Sequence, residues 1–306
     1  MNVLKTTVLL AALTGILVGI GGMVGGVSGM ILFLGIAGVM NFVAYWFSDK
    51  MALRMAGAHE VTEAEEPHLF GMVREVAQLS RMPMPKVYVI QTDSPNAFAT
   101  GRNPKHAVVA VTTGIRGLLN DRELRGVIGH EMGHVKNRDI LTSSIVATLA
   151  GAIQMIAQVL MFSTMFGGRR NENQNPLLML VAILIAPIAA TLIQLGISRT
   201  REYAADKTGA EVTGDPEALA SALEKLQRGV AYSPMEPTPA QEAVAALYIV
   251  KPFSGGAGVS KLFSTHPPLE ERVARLRAMG ASLPSRGTPS LPPPTAGGGP
   301  RTARRL

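Results

Sequence analysis

Three long stretches of the chain carry no charged residue, and they alternate with segments in which apolar and polar residues are mixed. The uncharged stretches cover residues 6–47, 140–168 and 173–198. About 20 apolar residues are enough for a helix to cross a bilayer, so the first stretch is long enough for two spans and the others for one each. The pattern therefore predicts two helical hairpins that cross a membrane, with four spans in all.

The first hairpin is predicted to turn where glycine is densest, in the run GIGGMVGGVSG at residues 19–29, which places its spans at 5–22 and 29–47. A cleaved signal peptide is the alternative interpretation of the first span, but the apolar region of a signal peptide has only about 7–15 residues. For the second hairpin, at 140–198, the alternative is a buried pair of core helices. The length of its uncharged runs favours lipid.

The mixed segments have the periodicities of a water-soluble domain. Residues 65–82 are predicted to be helical because apolar residues recur at a helical spacing, at positions 69, 70, 73, 76 and 79. Strands are predicted at 86–91 and 106–113, and further helices at 120–139, 199–212, 215–228 and 267–279. Asn120 or Asp121 can cap the helix at 120–139. We therefore expect a mainly α fold with a small β-sheet, in a multi-pass membrane protein.

These patterns divide the chain into five parts. They are a transmembrane hairpin at 1–47, a soluble part at 48–139, a second transmembrane hairpin at 140–198, a second soluble part at 199–280, and a tail at 281–306 rich in Pro, Gly and Arg. We expect the tail to be disordered. Lys and Arg flank the four spans mainly on one side, which predicts that the N-terminus and both soluble parts are cytoplasmic.

Composition narrows the possible partners. The 306 residues are 47% hydrophobic and only 17% charged, against about 25% charged in a typical soluble domain. The net charge is +7, but aromatic residues make up only 5% and are not interleaved with the basic ones. We therefore expect the lipid bilayer, and no nucleic acid, as the partner of the basic residues. The absence of cysteine excludes disulfides, iron–sulfur clusters and thiol nucleophiles, so a metal would be held by His, Asp or Glu.

The helix at 120–139 contains the sequence His-Glu-Met-Gly-His at residues 130–134. Because His130 and His134 are four residues apart, both imidazoles project from one face of the helix and match two corners of a zinc tetrahedron. Glu131 is placed to take a proton from a water activated by the metal. We expect Gly133 to leave room for a substrate. The alternative is a chance match, which the capped helical context makes the weaker interpretation.

A third ligand is needed, and the best candidate lies in the sequence ISRTREYAADKTGA at 197–210. Glu202 and Asp206 share one helical face, so Glu202 can bind the metal while Asp206 accepts the free N–H of a ligand imidazole, most plausibly that of His130. A solvated acidic pair on a helix surface is the alternative. Two antiparallel helices of similar length at 140–198 would bring the two soluble parts level and favour the metal interpretation.

The sequences GHEMGHVKNRD, SRTREYAAD, DSPNAFATG and STHPPLEERVARL together resemble the HtpX family of membrane-embedded zinc metalloproteases. That family is related to the CAAX prenyl endoproteases and belongs to the gluzincin type of zinc peptidase. The resemblance covers roughly residues 1–280 and leaves out the tail. It implies a gluzincin-like zinc peptidase domain carried on membrane helices. It also implies an ATP-independent endopeptidase of the bacterial inner membrane that cleaves misfolded or damaged membrane proteins on the cytoplasmic side.

The resemblance also implies roles for individual residues. One Zn²⁺ would be bound by His130, His134 and Glu202, with Glu131 as general base. The edge strand that pairs with an extended substrate would be formed by Asn96, Ala97, Phe98 and Ala99, for which an ordinary β-turn at 94–96 is the alternative. His266 would contribute to catalysis by stabilising the oxyanion, for which a structural place at a helix start is the alternative.

Two other classes of function compete with proteolysis. The first is a catalytically silent, zinc-stabilised membrane chaperone or scaffold, and the second is a transporter with an incidental zinc motif. Transport paths usually place ionisable residues inside the spans, and the predicted spans contain none. A closed structural zinc site would give Glu131 no role, which favours the peptidase over the scaffold.

Overall fold

The computed structural model describes residues 2–149, 199–253 and 267–282. Most of the second predicted hairpin, His266 and the C-terminal tail lie outside the described residues. The described elements, in chain order, are α1 (Asn2–Ala56), β1 (Ala58–Glu60), α2 (Pro67–Ser80), β2 (Lys86–Ile90), β3 (Ala97–Thr100), β4 (Val108–Thr112), α3 (Thr113–Leu118), α4 (Asp121–Lys136), α5 (Ile140–Leu149), α6 (Arg199–Thr213), α7 (Pro216–Tyr232), α8 (Pro239–Val244) and α9 (Leu269–Ser282). The prediction of a mainly helical fold with a small sheet is confirmed.

Helix α1 consists of two arms that fold back on each other. Its helical geometry is interrupted at Gly25 and Gly26, and Gly26 has φ of 57°, which a residue without Cβ adopts at no steric cost. Beyond this turn the arms touch through backbone, because a Cβ on Gly29 would lie 2.0 Å from the carbonyl oxygen of Gly21. The turn therefore lies within the glycine-rich run where the sequence predicts it.

The second arm of α1 presents apolar side chains to its surroundings. Among the described residues, Gly25–Ala56 is the one helix that is long and apolar enough to cross a membrane, with a mean hydropathy of 2.0 and 17% of that window buried. Its exposed side chains include Ile31, Leu34 and Phe42. Exposed apolar surface of this extent is typical of a contact with lipid or with another protein. The four-span arrangement itself stays a prediction.

The sheet has four strands in the order β1-β2-β4-β3. Strands β2 and β4 are parallel, with Lys86 opposite Val108, while β1 and β3 pair antiparallel with their neighbours. The two strands predicted from sequence are present within two residues of their predicted ends. The short strand β1 has no counterpart in the sequence prediction. Strand β3 lies at one edge of the sheet, so one side of its backbone is not paired with another strand of the sheet.

Helix α4 belongs to the main apolar core cluster of the described residues. A capping box begins it, in which the Asn120 side chain accepts from the Glu123 N–H and the Glu123 carboxylate accepts from the Asn120 N–H. The cap is therefore Asn120, one of the two predicted candidates. Gly133 packs against α6, where a Cβ would lie 2.8 Å from the carbonyl oxygen of Ala205. The expectation that Gly133 makes room for a substrate is wrong: the missing side chain lets α4 and α6 approach each other.

Candidate metal centre

The two histidines of α4 face each other at the surface between α4 and α6. The rings of His130 and His134 are 4.7 Å apart between centroids and meet edge to face at 89°. Their Nε2 atoms lie 3.1 Å apart. The helical spacing of four residues accounts for this arrangement, since it stacks both side chains on one face.

The opposite nitrogen of each ring contacts a carboxylate. Nδ1 of His130 lies 2.8 Å from Oδ1 of Asp206, and Nδ1 of His134 lies 3.2 Å from Oδ2 of Asp139. A carboxylate beside Nδ1 stabilises the tautomer with the proton on that atom, and it leaves the Nε2 lone pair free to bind. Both Nε2 atoms are thereby prepared as ligands, directed at the same point.

Glu202 supplies the third ligand atom from α6. Its Oε1 lies 3.5 Å from Nε2 of His134, and its Oε2 lies 3.9 Å from Nε2 of His130. Ligands at about 2.0–2.2 Å from a tetrahedral zinc are separated from one another by about 3.3–3.6 Å. His130, His134 and Glu202 form a group that could hold a metal ion, and their ligand atoms lie 3.1, 3.5 and 3.9 Å apart, on both sides of those values.

The carboxylates around the His134 imidazole raise its pKa. Burial by itself would lower the pKa of His134, but Asp139, Glu202 and Glu131 outweigh it and raise the pKa to about 10. Without a metal, this cluster therefore holds a proton between the imidazole and the carboxylates. A cation at the same place would satisfy the same negative charge, and its binding would release that proton.

Asp206 is held in place by Arg272 of α9. The guanidinium donates to both carboxylate oxygens, from Nε to Oδ2 at 2.8 Å and from Nη2 to Oδ1 at 2.7 Å, and Arg272 is only 1% exposed. Burial by itself would raise the pKa of Asp206, but Arg272 and His130 hold it far below its ordinary range. Asp206 is thus a fixed anion behind His130.

Sequence reasoning missed both Arg272 and Asp139. Asp139 lies five residues after His134, just beyond the end of α4, a spacing with no regular helical meaning. Arg272 lies in the quoted run STHPPLEERVARL, but nothing in its spacing distinguishes it from the exposed Arg275 and Arg277 of the same helix. Its partner Asp206 is 66 residues away, so the pairing depends on the fold.

Glu131 is buried next to the metal ligands at 1% exposure. Its carboxylate accepts a hydrogen bond from the backbone N–H of Ala99, while its Oε1 has no hydrogen-bond partner among the described residues. Desolvation raises the pKa of Glu131, although the two imidazoles oppose the shift. A buried carboxylate oxygen without a partner needs a water or a ligand to satisfy it.

The residues predicted to bind substrate lie on and beside the edge strand β3. Phe98 is buried against Tyr248, ring edge to ring face at 5.3 Å. The carbonyl of Ala97 accepts from the N–H of Ile249 at 3.0 Å, and the Asn96 side chain bonds the backbone of Val250. A role of these residues in binding substrate stays a prediction. His266 and its predicted catalytic role fall outside the described residues, and α9 begins three residues after it at Leu269.

Two further residues of α6, Tyr203 and Arg201, lie next to Glu202 in the sequence. Tyr203 follows Glu202 in α6 but faces α9, where the guanidinium of Arg275 lies 3.9 Å from its ring centre. Arg201 is partly buried near Asp139 and Glu202, and burial lowers its pKa although both carboxylates oppose that shift.

Comparisons with known proteins identify the family of the chain. The family model described as Peptidase family M48 matches residues 63–280. A protease HtpX homolog of Methylibium petroleiphilum is 54% identical over 280 residues, which covers 91% of this chain and 98% of that protein. A protease HtpX homolog of Burkholderia multivorans is 53% identical over 280 residues, with 91% and 97% covered.

Among solved structures, the Ste24p protein of S. mikatae matches with a TM-score of 0.46 and 18% identity, and the match covers 90% of this chain but only 65% of that one. The family model and the two relatives of more than 50% identity confirm the resemblance to the HtpX family that the sequence motifs carry. The chain therefore belongs to peptidase family M48 and is a metallopeptidase.

Proposed function

We propose that the protein is a zinc-dependent endopeptidase of the membrane that cleaves misfolded or damaged membrane proteins. The observation that carries the proposal is the convergence of three metal-ligand atoms beside a buried carboxylate oxygen without a partner among the described residues. A purely structural zinc site would need a fourth protein ligand and would leave Glu131 without a role. An open coordination position next to Glu131 is what peptide hydrolysis requires.

Zinc in this site would lower the pKa of a water molecule and polarise the scissile carbonyl. Glu131 takes the proton from the attacking water and delivers it to the leaving amine. Because burial raises its pKa, Glu131 is a better proton acceptor than an exposed glutamate, and it retains the proton until the amine departs. The Ala99 N–H fixes the orientation of the carboxylate and ties the base to the strand β3.

The membrane part of the proposal rests on α1 and on the position of the site. The uncharged part of the second arm of α1 ends in Tyr45, Trp46 and Phe47, all partly exposed, and aromatic residues of this kind mark the interface between lipid and water. The guanidinium of Arg102, from the soluble part, lies 4.7 Å from the Trp46 ring centre. The soluble part therefore contacts the proposed interface, where it can meet chains that leave the bilayer.

The proposed location is the bacterial inner membrane with the active site on the cytoplasmic side. The bias of Lys and Arg toward one side of the predicted spans supports this orientation. The apolar helix α5 begins at Ile140, only six residues after His134, with a turn at 137–139 between α4 and α5. The zinc would then lie close to the bilayer surface, which favours membrane proteins as substrates.

The substitution Glu131→Gln tests the mechanism. We expect the variant to bind one zinc ion per chain and to unfold like the unchanged protein, and to lose cleavage of an unfolded membrane protein by at least about a hundredfold, since general-base catalysis contributes about 10²–10⁴. Cleavage is followed in lipid nanodiscs by gel electrophoresis, and zinc content by atomic absorption.

The matched control is Glu211→Gln, a glutamate of α6 whose ion pair with Lys207 is exposed. This variant should cleave at the unchanged rate. If Glu131→Gln cleaved as fast as Glu211→Gln, the metal-activated mechanism would be wrong. Zinc-dependent protection of unfolded membrane proteins in both variants would then favour the silent chaperone or scaffold.

A further inference from the structure

The outer side of the edge strand β3 is occupied by another part of the same chain. The backbone carbonyl of Asn96 accepts from the Thr112 N–H, so Asn96 bonds toward β4. Because the direction of the backbone groups alternates along an antiparallel strand, those of Ala97 and Ala99 point away from β4. These outward groups would be available to a peptide that adds to the sheet. In this structure the segment Tyr248–Val250, which follows α8, reaches one of them.

The segment is bound through its main chain. The N–H of Ile249 donates to the carbonyl of Ala97 at 3.0 Å. Val250 makes two bonds with the Asn96 side chain, which donates from Nδ2 to the Val250 carbonyl at 2.9 Å and accepts the Val250 N–H on Oδ1 at 3.4 Å. The carbonyl of Ile249 accepts from Nη1 of Arg272 at 3.2 Å. Every main-chain polar group of these two residues is therefore bonded.

One of these partners, Arg272, contacts the metal centre, and another, Ala97, lies near it along strand β3. Ala99, two residues after Ala97 on the same outward side, donates its N–H to Glu131. Arg272 holds Asp206, and its Nη1 lies 3.7 Å from Glu202. The Ile249 carbonyl is thus bonded by a guanidinium that contacts Glu202, and the Ile249 N–H is bonded two residues before the strand residue that bonds Glu131.

The bonding pattern has no dependence on the identity of the bound side chains, because it uses only backbone groups. An extended substrate would meet the same acceptors and donors: the Ala97 carbonyl, the Asn96 carboxamide and the Arg272 guanidinium. The side chain of the bound residue is also recognised, because Ile249 is 2% exposed and lies in the main apolar core cluster. An aliphatic side chain therefore fits at that position.

We propose that Tyr248–Val250 is an internal occupant of the substrate-binding site, and that an extended peptide with an aliphatic residue at the place of Ile249 binds by displacing it. This inference rests on the proposed peptidase function. The structure is then the closed state of the enzyme. Asn96 and Arg272 serve both states, because they bind the backbone of the segment in one and that of the substrate in the other.

Displacement lowers the apparent affinity for a substrate, because only the fraction of molecules with an open site can bind it. Weakening the segment should remove this loss. Ile249→Ala deletes the aliphatic side chain but keeps the main-chain groups, and its KM for an aliphatic peptide should fall on the order of tenfold while kcat changes by less than about twofold. The zinc-loaded full chain in nanodiscs is used throughout.

The matched control is Val230→Ala, which removes an aliphatic side chain from the same core cluster, in α7. Its KM should stay unchanged, even though it also loses stability. An Ile249→Ala variant with an unchanged or raised KM overturns the internal occupant. Absence of cleavage in the unchanged protein would instead overturn the proposed peptidase function, so the two failures are distinguishable.

A second measurement does not depend on the folding of a core variant. Hydrogen exchange at the amides of Ile249 and Val250 is followed in the Glu131→Gln protein, with and without a fluorescently labelled aliphatic peptide. The peptide concentration is chosen so that binding, measured by fluorescence anisotropy, is saturated. The exchange of both amides should rise on the order of tenfold when the peptide binds, while that of Val109 in β4 should stay constant. Equal or slower exchange at Ile249 and Val250 in the bound state overturns the proposal.

Discussion

The metal centre and the second arm of α1 differ in which side chains they bury and which they expose. Around the metal centre, charged groups are buried, and some are compensated by an oppositely charged partner, as Arg272 and Asp206 are. In the second arm of α1, large apolar side chains such as Ile31 are exposed and charges are absent from residues 25–47. The first arrangement needs a folded protein interior to be stable, whereas the second needs lipid or a partner surface.

The buried guanidinium gives the largest expected effect. Arg272→Met leaves Asp206 as a buried charge without its main partner, so we expect a loss of about 3–5 kcal/mol in the free energy of unfolding. Denaturant unfolding of the full chain measures it. Arg277→Met is the matched control in the same helix, because Arg277 pairs with Glu217 and Glu224 at the surface.

Exposed pairs contribute little to stability because water and salt screen them. The control variant should therefore unfold almost like the unchanged protein. Equal losses for Arg272→Met and Arg277→Met would remove the distinction between the two ion pairs. Unequal losses with unchanged zinc affinity in Arg272→Met would show that Arg272 stabilises the core without positioning His130 through Asp206.

How far the sequence predicts this centre depends on the distance along the chain. His130, Glu131 and His134 follow from one helical repeat, and the helix around them follows from its cap at Asn120. Glu202 follows from the similar lengths of two predicted helices and from the family resemblance. The pairing of Asp206 with Arg272 spans 66 residues and that of Asn96 with Val250 spans 154, so neither has a local periodicity that could reveal it.

The fold shows the same division. The strands β2 and β4 follow from apolar runs, because each run is longer than a turn and shorter than a helix. Strand β1 has three residues and is partly exposed, so it leaves no such run. The order β1-β2-β4-β3 is set by long-range pairing, which hydropathy alone does not encode. The sequence therefore predicts which strands form better than it predicts which strands lie next to each other.

A charge introduced into the second arm of α1 should give the second-largest free-energy change. Ile31 is 67% exposed, and Lys at this place would face lipid if the arm crosses a bilayer. A charge costs about 2.5–3.5 kcal/mol of membrane insertion at the helix centre, and we expect Ile31→Lys to cost less than that because Ile31 is near the start of the predicted span 29–47. The measurement is the fraction of newly made chain that resists alkaline extraction from membranes. Ile31→Leu is the control and should be extracted like the unchanged protein; equal extraction of Ile31→Lys would mean that this face is in water.

The smallest effect concerns a polar pair inside the hairpin. Asn41 Nδ2 donates to Thr14 Oγ1 at 2.8 Å and joins the two arms of α1. In membranes such bonds contribute only about 0.6 kcal/mol on average, because the separated helices find other partners. A double-mutant cycle with Asn41→Leu and Thr14→Val in bicelles should therefore give a coupling energy of about that size.

The soluble part offers the comparison for this pair. Ser221 Oγ donates to the Glu123 carboxylate at 2.7 Å, and hydrogen bonds to charged groups contribute about 1.5–3 kcal/mol. A cycle with Ser221→Ala and Glu123→Ala, each of which removes the bond, should thus give a coupling larger than that of Asn41 and Thr14. The reverse order would mean that the polar pair between the arms of α1 is coupled more strongly than the pair in the soluble part. Lipid around the exposed apolar side chains of α1 would then not weaken the polar contact between its arms.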